Sequence, residues 1–422
     1  MNGIGDLMEN FVFLYPFMMS ILWIMGALYF YFRHEAGKSR KPPELAEYPM
    51  VSVIIPARNE QDAIRSTVNS ALASNYPNFE VIIVDDGSTD ETPQILKELA
   101  AIHAKVRVII LEKNMGKPYA LQCGTMASNG EILLTIDGDA SLDADAMHWM
   151  VSHFVSSPRV GAVTGNPRVR NRTSLLAKIQ VGEYSTIIGM IKRTQRILGK
   201  VLTVSGVIVA FRKRALFDVG LWDNDMITDD INVTWKLEKK FWDIRYEPNA
   251  LCWILVPETL RGLWMQRVRW AQGGVEVIMR HKNIWTSWKQ RRLWPVYIEY
   301  VLSVLWSYTY VIFGLLLLLA SLVFPIVPLI KAYPPEWKGS ILAAVFLLQA
   351  FIGLLIDSRY EKKIVWYHFW VVWYPFMYWI FSALAAVWAT PKAIFRKVGQ
   401  PAVWKSPDRG LFSKTSNSMG KN

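Results

Sequence analysis

Hydrophobic positions fall into three regimes along the chain. From Phe11 to Phe32 they run almost unbroken, FVFLYPFMMSILWIMGALYFYF, enough for one bilayer crossing at about 20 residues. From Met50 to Pro257 they come in short blocks separated by helical patterns. From Trp294 onward the chain is apolar again, with candidate spans at Val296–Phe324, Ile341–Ile356 and Ile364–Ala389. This predicts an N-terminal membrane helix (9–32), a linker (33–49) carrying KSRKPPELAEYP, and a soluble domain (50–257). A helical region at the membrane surface (258–293), a membrane bundle (294–390) and a tail (391–422) follow. The first run reads as an anchor: it exceeds the apolar core of a signal peptide, about 7–15 residues, and no small-residue cleavage site follows.

Within the soluble domain the period alternates between strand and helix. MVSVIIPA, FEVIIVDDGSTD, VRVIIL and EILLTIDGDA hold β-branched runs suited to buried strands. Between them, EQDAIRSTVNSALAS spaces Ile64, Val68, Ala71 and Leu72 on one helical face. ETPQILKELAAIH follows Thr89 and Asp90 as candidate caps, and KPYALQCGTMAS gives a third helix. Such alternation predicts a mostly parallel sheet with crossover helices, whose ligands bind beyond the carboxyl ends of the strands. Those ends carry ARNE (with Glu60), DDGSTD and DGDA, so polar groups converge on one rim.

Composition and charge refine this picture. The 422 residues include 19 Trp and carry a net charge of +12. Trp favours membrane interfaces, where its ring is buried and its N–H stays wet. Cys123 and Cys252 make neither a metal-ligand spacing nor a disulfide framework, which suits a cytosolic domain. Asp6 and Glu9 precede the first span, and Arg33, Lys38, Arg40 and Lys41 follow it, so positive-inside bias sets the N-terminus outside. Three further spans would leave the C-terminus outside too, whereas Lys392, Arg396, Lys397 and Lys405 argue for inside. An extra pass or re-entry around Pro325 and Pro328 would resolve the conflict. Between Arg159 and Arg214 stand twelve Lys or Arg against one acid, Glu183. A nucleic-acid surface has that character. Amphipathic runs such as LLAKIQVGEYSTIIGMI instead assign residues 172–200 to anionic lipid, and no nucleic acid is expected.

Candidate chemistry sits at the strand ends and in two later helices. Asp137 and Asp139, two apart after a strand, suit a hard divalent cation, which takes one or two carboxylates plus substrate phosphates; a solvated turn would look the same. Asp85 and Asp86 are turn formers before Gly87, or acceptors for a base or ribose. NMGKP offers Lys117 to a phosphate without the spacing of a P-loop. In MITDDINVTWKL, Thr228 or Asp229 can cap a helix beginning near Ile231. Asp230 is either part of that cap or a general base for an attacking sugar hydroxyl. QRVRW lies in PETLRGLWMQRVRWAQGGVEVIM, with Leu260, Leu263, Trp264, Val268 and Trp270 on one apolar side. Either this helix lies on lipid, or Gln266 and Arg269 face the rim with Trp270 as a stacking platform for sugar. Arg267 then points about 200° away from Arg269.

The order VDDGS, DGD, TDD, QRVRW and then a membrane bundle resembles the processive family 2 glycosyltransferases, which include cellulose, hyaluronan, chitin and poly-N-acetylglucosamine synthases. The third motif departs from the usual T-E-D but keeps its final Asp. RVGAVTGNPRVRNRTSLLAKIQVGEYSTIIGMIKRTQRI, TVSGVIVAFRKRAL, ALCWILVPETLRGLWMQRVRWAQGG and VWKSPDRG place the resemblance on the poly-N-acetylglucosamine branch, over nearly the whole chain. The resemblance implies an α/β GT-A (nucleotide-diphospho-sugar transferase) domain in the cytosol, joined to interfacial helices and an α-helical transmembrane bundle in a bacterial inner membrane. It implies UDP-N-acetylglucosamine as donor, a growing β-1,6-linked polysaccharide as acceptor, Mg2+ or Mn2+ as cofactor, and export for biofilm matrix. It implies Asp86 on uridine, Asp137 and Asp139 on diphosphate and metal, and Asp230 as base. Gln266, Arg269 and Trp270 would bind acceptor and diphosphate, with Glu60, Lys117, Thr228 and Asp229 as further substrate contacts. Cyclic di-GMP and a small membrane subunit are candidate partners on the same ground. Two other readings share part of the pattern. A non-processive enzyme acting on a lipid carrier would have the Asp motifs but usually not the Q-x-x-R-W helix. A transporter or receptor with a nucleotide-binding domain would bind without turnover.

Overall fold

The β-branched blocks pair side by side into the core of the soluble domain. The structure, a computed structural model, describes residues 3–323, 336–397 and 399–402. Pro325, Pro328, Lys405 and VWKSPDRG lie outside the described residues. Strands β1 (Val51–Ala57), β2 (Phe79–Asp85), β3 (Val106–Ile110) and β4 (Ile132–Ile136) run parallel in the order β3-β2-β1-β4. Helices α2 (Ile64–Leu72), α3 (Thr92–Ile102) and α4 (Lys117–Ala127) connect them. Every residue of β1 and β2 is buried, as expected for parallel strands covered on both faces. Asp90 does not cap α3 as its N-cap residue, which is Glu91; its carboxylate instead accepts the N–H groups of Thr92 and Gln61.

Beyond β4 the parallel pattern breaks. β7 (Ile208–Arg212) is antiparallel to both β4 and β6 (Val160–Val169). β8 (Asp243–Ile254) is parallel to β6, and the two-residue β5 (Ser141–Leu142) pairs antiparallel with β8. The eight-stranded sheet is therefore mixed but still mostly parallel: β7 and β5 run against the other six strands. The cause is the excursion from residue 170 to 207. It leaves the end of β6 and re-enters on the same rim, with Ile208 opposite Ile136, so β7 has to run back down the sheet.

That excursion also corrects the lipid assignment of residues 172–200. α6 (Leu175–Glu183), a π-helical turn (Tyr184–Gly189) and α7 (Met190–Leu198) are buried over most of their length. They sit between the sheet and the membrane helices α1 (Ile4–Phe30) and α12 (Glu336–Asp357). The arginines of this region answer acids rather than lipid. Arg193 Nε donates to Glu35 at 2.7 Å and its Nη2 to Asp357 at 2.9 Å. Arg168 Nη1, from β6, donates to the other oxygen of Asp357 at 2.7 Å. Arg172 pairs with Glu361, and Arg196 with Asp243 at 3.0 Å. Counting acids within the stretch missed these partners because most lie more than 150 residues away in sequence.

α1 continues through a π-helical turn to Glu35. Together with α11 (Trp294–Val323) and α12, it is long and apolar enough to cross a membrane; among the described residues three helices meet that condition. The expected span Ile364–Ala389 is not one helix. It opens with a 3₁₀ turn (Ile364–Tyr367) and a short helical turn (His368–Val371), and α13 (Tyr374–Phe395) starts afterwards. Pro375 stands in the first turn of α13, where a missing backbone N–H is tolerated.

Asp357→Ala should expose the cost of this arrangement. It leaves two buried guanidinium groups short of a counter-charge, a loss of about 3–5 kcal/mol. Thermal unfolding of the detergent-solubilised protein is expected at a clearly lower temperature, and an unchanged midpoint would contradict the account.

Candidate active site

The rim above β1, β2 and β4 gathers the strand-end residues. Asp137 and Asp139 follow β4 in a tight turn, in which Ala140 N–H donates to Asp137 O at 3.1 Å. The pair is therefore not held two apart on extended backbone. The two carboxylates still act on one neighbourhood: burial first, then Asp137 and Asp139, push the Cys252 thiol up. Asp139 is buried, while Asp137 is partly exposed and accepts from Lys117 Nζ at 2.6 Å. Lys117 begins α4 and also donates to Gly206 O at 3.2 Å. Burial disfavours its charge, but Asp137, Asp229 and Asp230 more than offset this and hold the ammonium above the usual lysine value.

Asp86 lies deeper. It is fully buried, and its two oxygens accept the N–H groups of Met115 at 2.7 Å and Gly116 at 2.9 Å. Burial lifts its carboxyl above the ordinary value against these two donors. Asp86 thus clamps the turn that delivers Lys117 to Asp137. Glu60 is also buried, and its backbone N–H donates to Thr92 Oγ1 at 2.8 Å.

The other wall comes from α9 (Asp229–Lys239) and α10 (Leu260–Arg280). Thr228 occupies the N-cap position of α9 without accepting a capping bond, and Asp229 and Asp230 fill the first turn. The Asp230 carboxylate caps no more than the N–H of the next residue, Ile231, at 2.9 Å. Burial, then Asp229, lift the Asp230 carboxyl to about 6, with Lys117, the Ile231 N–H and Arg269 opposing. α10 closes on its neighbours through two glycines. A Cβ on Gly273 would overlap Thr228, and one on Gly274 would overlap Tyr300 of α11. The close approach brings Gln266 and Arg269 onto a cavity of about 590 Å³ shared with Lys117, Asp229, Trp264 and Lys392. Gln266 Oε1 is buried with no hydrogen-bond partner among the described residues.

The residues of QRVRW divide between two sides of α10. Trp270 does not line this cavity; its ring carries the Arg267 guanidinium, 4.3 Å from the centroid. Arg267 lies on the side away from Arg269, as helix geometry expects, and that side is covered. It is buried, its Nη2 donates to Glu183 at 2.8 Å, and Tyr378 donates to the other Glu183 oxygen. The helical wheel separates Arg267 from Arg269, but it cannot show that α6 and α13 close over the far side. Nor does α10 simply lie on lipid, since it packs against α9 and α13. Sequence reasoning missed Trp388 and Lys392 on the cavity wall and read Trp264 only as apolar. Glu183 could have been found: a lone acid in a basic stretch has a partner to hold.

A carboxylate-bearing rim, a mixed GT-A-like sheet and helices fit to cross a membrane define a membrane-associated transferase acting on activated sugars. Residues 49–273 match the family model described as Glycosyltransferase like family 2. The chain is 41% identical over 412 residues to the poly-β-1,6-N-acetyl-D-glucosamine synthase of Staphylococcus epidermidis, covering 96% of this chain and 99% of that protein. It is 42% identical over 408 residues to the synthase of the same name from Staphylococcus aureus strain MW2, covering 95% and 98%. Its fold is similar to that of a mannosyltransferase from Pyrobaculum calidifontis solved with GDP-Man and Mn2+, with a TM-score of 0.64 and 20% identity over 92% of this chain and 99% of that one. The chain belongs to glycosyltransferase family 2, and it is a glycosyltransferase.

The geometry separates the two arginines of QRVRW. Arg267→Met leaves Glu183 buried and unpaired, so the unfolding temperature should fall by an amount equivalent to about 3–5 kcal/mol. Arg269→Lys should leave unfolding unchanged and lower turnover, because an ammonium lacks the planar two-donor face that grips a diphosphate. Equal stability of both variants would contradict the burial of Arg267. The pH dependence follows from Asp230. As a base it must be ionised, and its carboxyl titrates at about 6. Turnover should hold above that value and decline as pH falls through it; a pH–rate profile flat down to pH 5 would exclude the role.

Proposed function

We propose that this chain polymerises N-acetylglucosamine from UDP-N-acetylglucosamine into a β-1,6-linked polysaccharide. The observation that carries the reading is the half-buried Asp230, which adjoins cavity-lining Asp229 and faces the Lys117–Asp137 pair, beside a cavity that reaches from the sheet rim to α13. A transferase needs a proton acceptor and a phosphate cradle side by side, and a polymerase needs room for product next to them. The names of the staphylococcal relatives supply the sugar and the linkage.

In this reading Asp230 takes the proton of the acceptor 6-hydroxyl as its oxygen attacks the anomeric carbon. The bond between that carbon and the diphosphate breaks, its electron pair leaves with UDP, and the α-linked donor gives a β-linked product. Gln266 Oε1 accepts a hydroxyl of the acceptor sugar, and Arg269 and Lys117 hold the diphosphate and oppose its growing charge. Trp264, rather than Trp270, offers the aromatic face on the cavity. Asp86 fixes the Lys117 turn and contacts uridine from the same rim, while Glu60, Thr228 and Asp229 shape the pocket.

The donor set also fits a divalent cation. Among the described residues no three His, Cys, Asp or Glu stand together as a complete cage. Two carboxylates on one turn instead suit an ion that completes its shell from a substrate diphosphate. Asp137 and Asp139 would hold Mg2+ or Mn2+, which supplies charge against the leaving diphosphate. The Mn2+ in the Pyrobaculum structure agrees with this. The domain would face the cytosol at a bacterial inner membrane, with α1, α11 and α12 as spans and the product exported as biofilm matrix. A small membrane subunit and cyclic di-GMP are the regulators that the resemblance suggests.

Incubation of the purified full chain with UDP-N-acetylglucosamine and Mg2+ or Mn2+ tests the reading through UDP release and product length. Long polymer from wild type is expected. Asp139→Ala should abolish turnover, and Asp230→Asn should bind UDP yet extend polymer about 10²–10⁴-fold more slowly. Single-sugar products on lipid would favour a carrier enzyme, and binding without UDP release would favour a receptor.

A further inference from the structure

The mechanism leaves one buried cation unused. Lys192, on α7, is 5% exposed. Among the described residues its ammonium makes no ion pair, and its hydrogen bond goes to Thr164 Oγ1 at 3.2 Å. Burial pushes it down to about 8, and Asp230 is the acid that opposes this. An ammonium buried against one hydroxyl is unfavourable for a fold. An apolar side chain in its place would remove that penalty, so the charge calls for an account beyond packing.

Its surroundings lead to the base. Thr164 Oγ1 also accepts the Ser205 N–H at 2.8 Å. The turn around Ser205 is fixed on both sides. Val204 N–H donates to Thr234 Oγ1 at 2.9 Å, Thr234 donates to the Asp230 carbonyl at 2.6 Å, and Gly206 O accepts Lys117. A Cβ on Gly206 would stand 3.3 Å from Asp230 Oδ2 and 3.5 Å from Lys117 Nζ, so the turn lies against both groups. Lys192 holds this turn through Thr164.

We propose that Lys192 is a positioning residue for Asp230, fixing the 204–206 turn against the base and supplying it with a positive field. The inference rests on the reading of Asp230 as the base. The charges that shift that carboxylate most are Asp229 on its own helix, Lys117 on α4 and Arg269 on α10, while Asp230 itself acts on Lys192 of α7. Lys117 and Arg269 line the cavity, so a bound diphosphate neutralises much of their effect. Lys192 does not line it, and its charge stays available to Asp230 when donor is in place.

The test compares Lys192→Gln, which keeps a donor for Thr164 without the charge, with Lys192→Met, Lys192→Arg and Asp230→Asn. UDP release by the purified full chain is followed against pH and donor concentration. Loss of a positive charge favours the protonated carboxyl. The acid limb of kcat should therefore move to higher pH by about one unit in the Gln and Met variants, a loss of about fivefold near pH 6. KM for the donor should change less than about twofold, and Arg should restore the wild-type limb. An unmoved limb in the neutral variants, or a KM that rises as much as kcat falls, overturns the proposal. So does failure of both neutral variants to accumulate in the membrane, which would make Lys192 a folding residue. Activity retained by Asp230→Asn would bring down the base assignment itself, whereas an inactive Asp230→Asn beside an unmoved Lys192→Gln limb brings down only this inference.

Discussion

Asp357 is the point on which the relation between sheet and membrane helices depends. One carboxylate, at the end of α12, meets Arg168 from β6 and Arg193 from α7, and Arg193 in turn grips Glu35 at the end of the N-terminal helix. Tyr360 donates to Glu35 at 2.6 Å and closes the cluster. All four charged side chains are removed from water. Such a cluster adds little net stability, because desolvation offsets attraction. What it does provide is intolerance of misalignment. A membrane helix shifted by one turn would leave a buried charge alone, so the apolar spans, which could slide against one another at small cost, are locked in register with a catalytic domain.

That register matters because the site is assembled from two sources. The sheet contributes Asp137, Asp139 and the Lys117 turn, and α9 contributes Asp229 and Asp230. Gln266 and Arg269 arrive on α10, which is held from its far side by Arg267, Glu183 and Tyr378. Arg267 and Arg269 thus divide the labour of one motif: the first anchors the helix and the second faces the cavity. The same logic explains AQGG, where Gly273 and Gly274 admit Thr228 and Tyr300. The placement of Gln266 and Arg269 against Asp229, Asp230 and Lys117 is therefore set by helix packing against the bundle as much as by the sheet.

The re-entry of the chain into β7 has a similar consequence. Because residues 170–207 return to the rim they left, the turn before β7 lies next to Asp137, whose N–H donates to Val207 O at 3.4 Å. A crossover to the opposite end would have put that turn, and Lys192 behind it, far from the chemistry. The excursion links the buried charge cluster to the neighbourhood of Asp230 through the buried neighbours Arg193 and Lys192.

The sequence by itself determined the parts whose physics is local. β-branched runs of strand length read correctly as β1 to β4, because burial on both faces demands continuous apolar residues. Apolar length identified α1, α11 and α12, and ordered carboxylate motifs pointed to a family 2 glycosyltransferase. Tertiary structure decided everything that depends on a partner remote in sequence. The basic stretch 159–214 looked like a lipid surface, but Asp357, Glu361 and Glu35 meet Arg168, Arg172 and Arg193 within it. A helical wheel gave the angle between Arg267 and Arg269 but not which face was covered, nor that Trp264 lines the cavity while Trp270 carries Arg267. The direction of β7 and the break before α13 were likewise invisible, since neither alters the hydrophobic period that a single chain displays. Periodicity records how much of a side chain is buried, and only the assembled fold records against what.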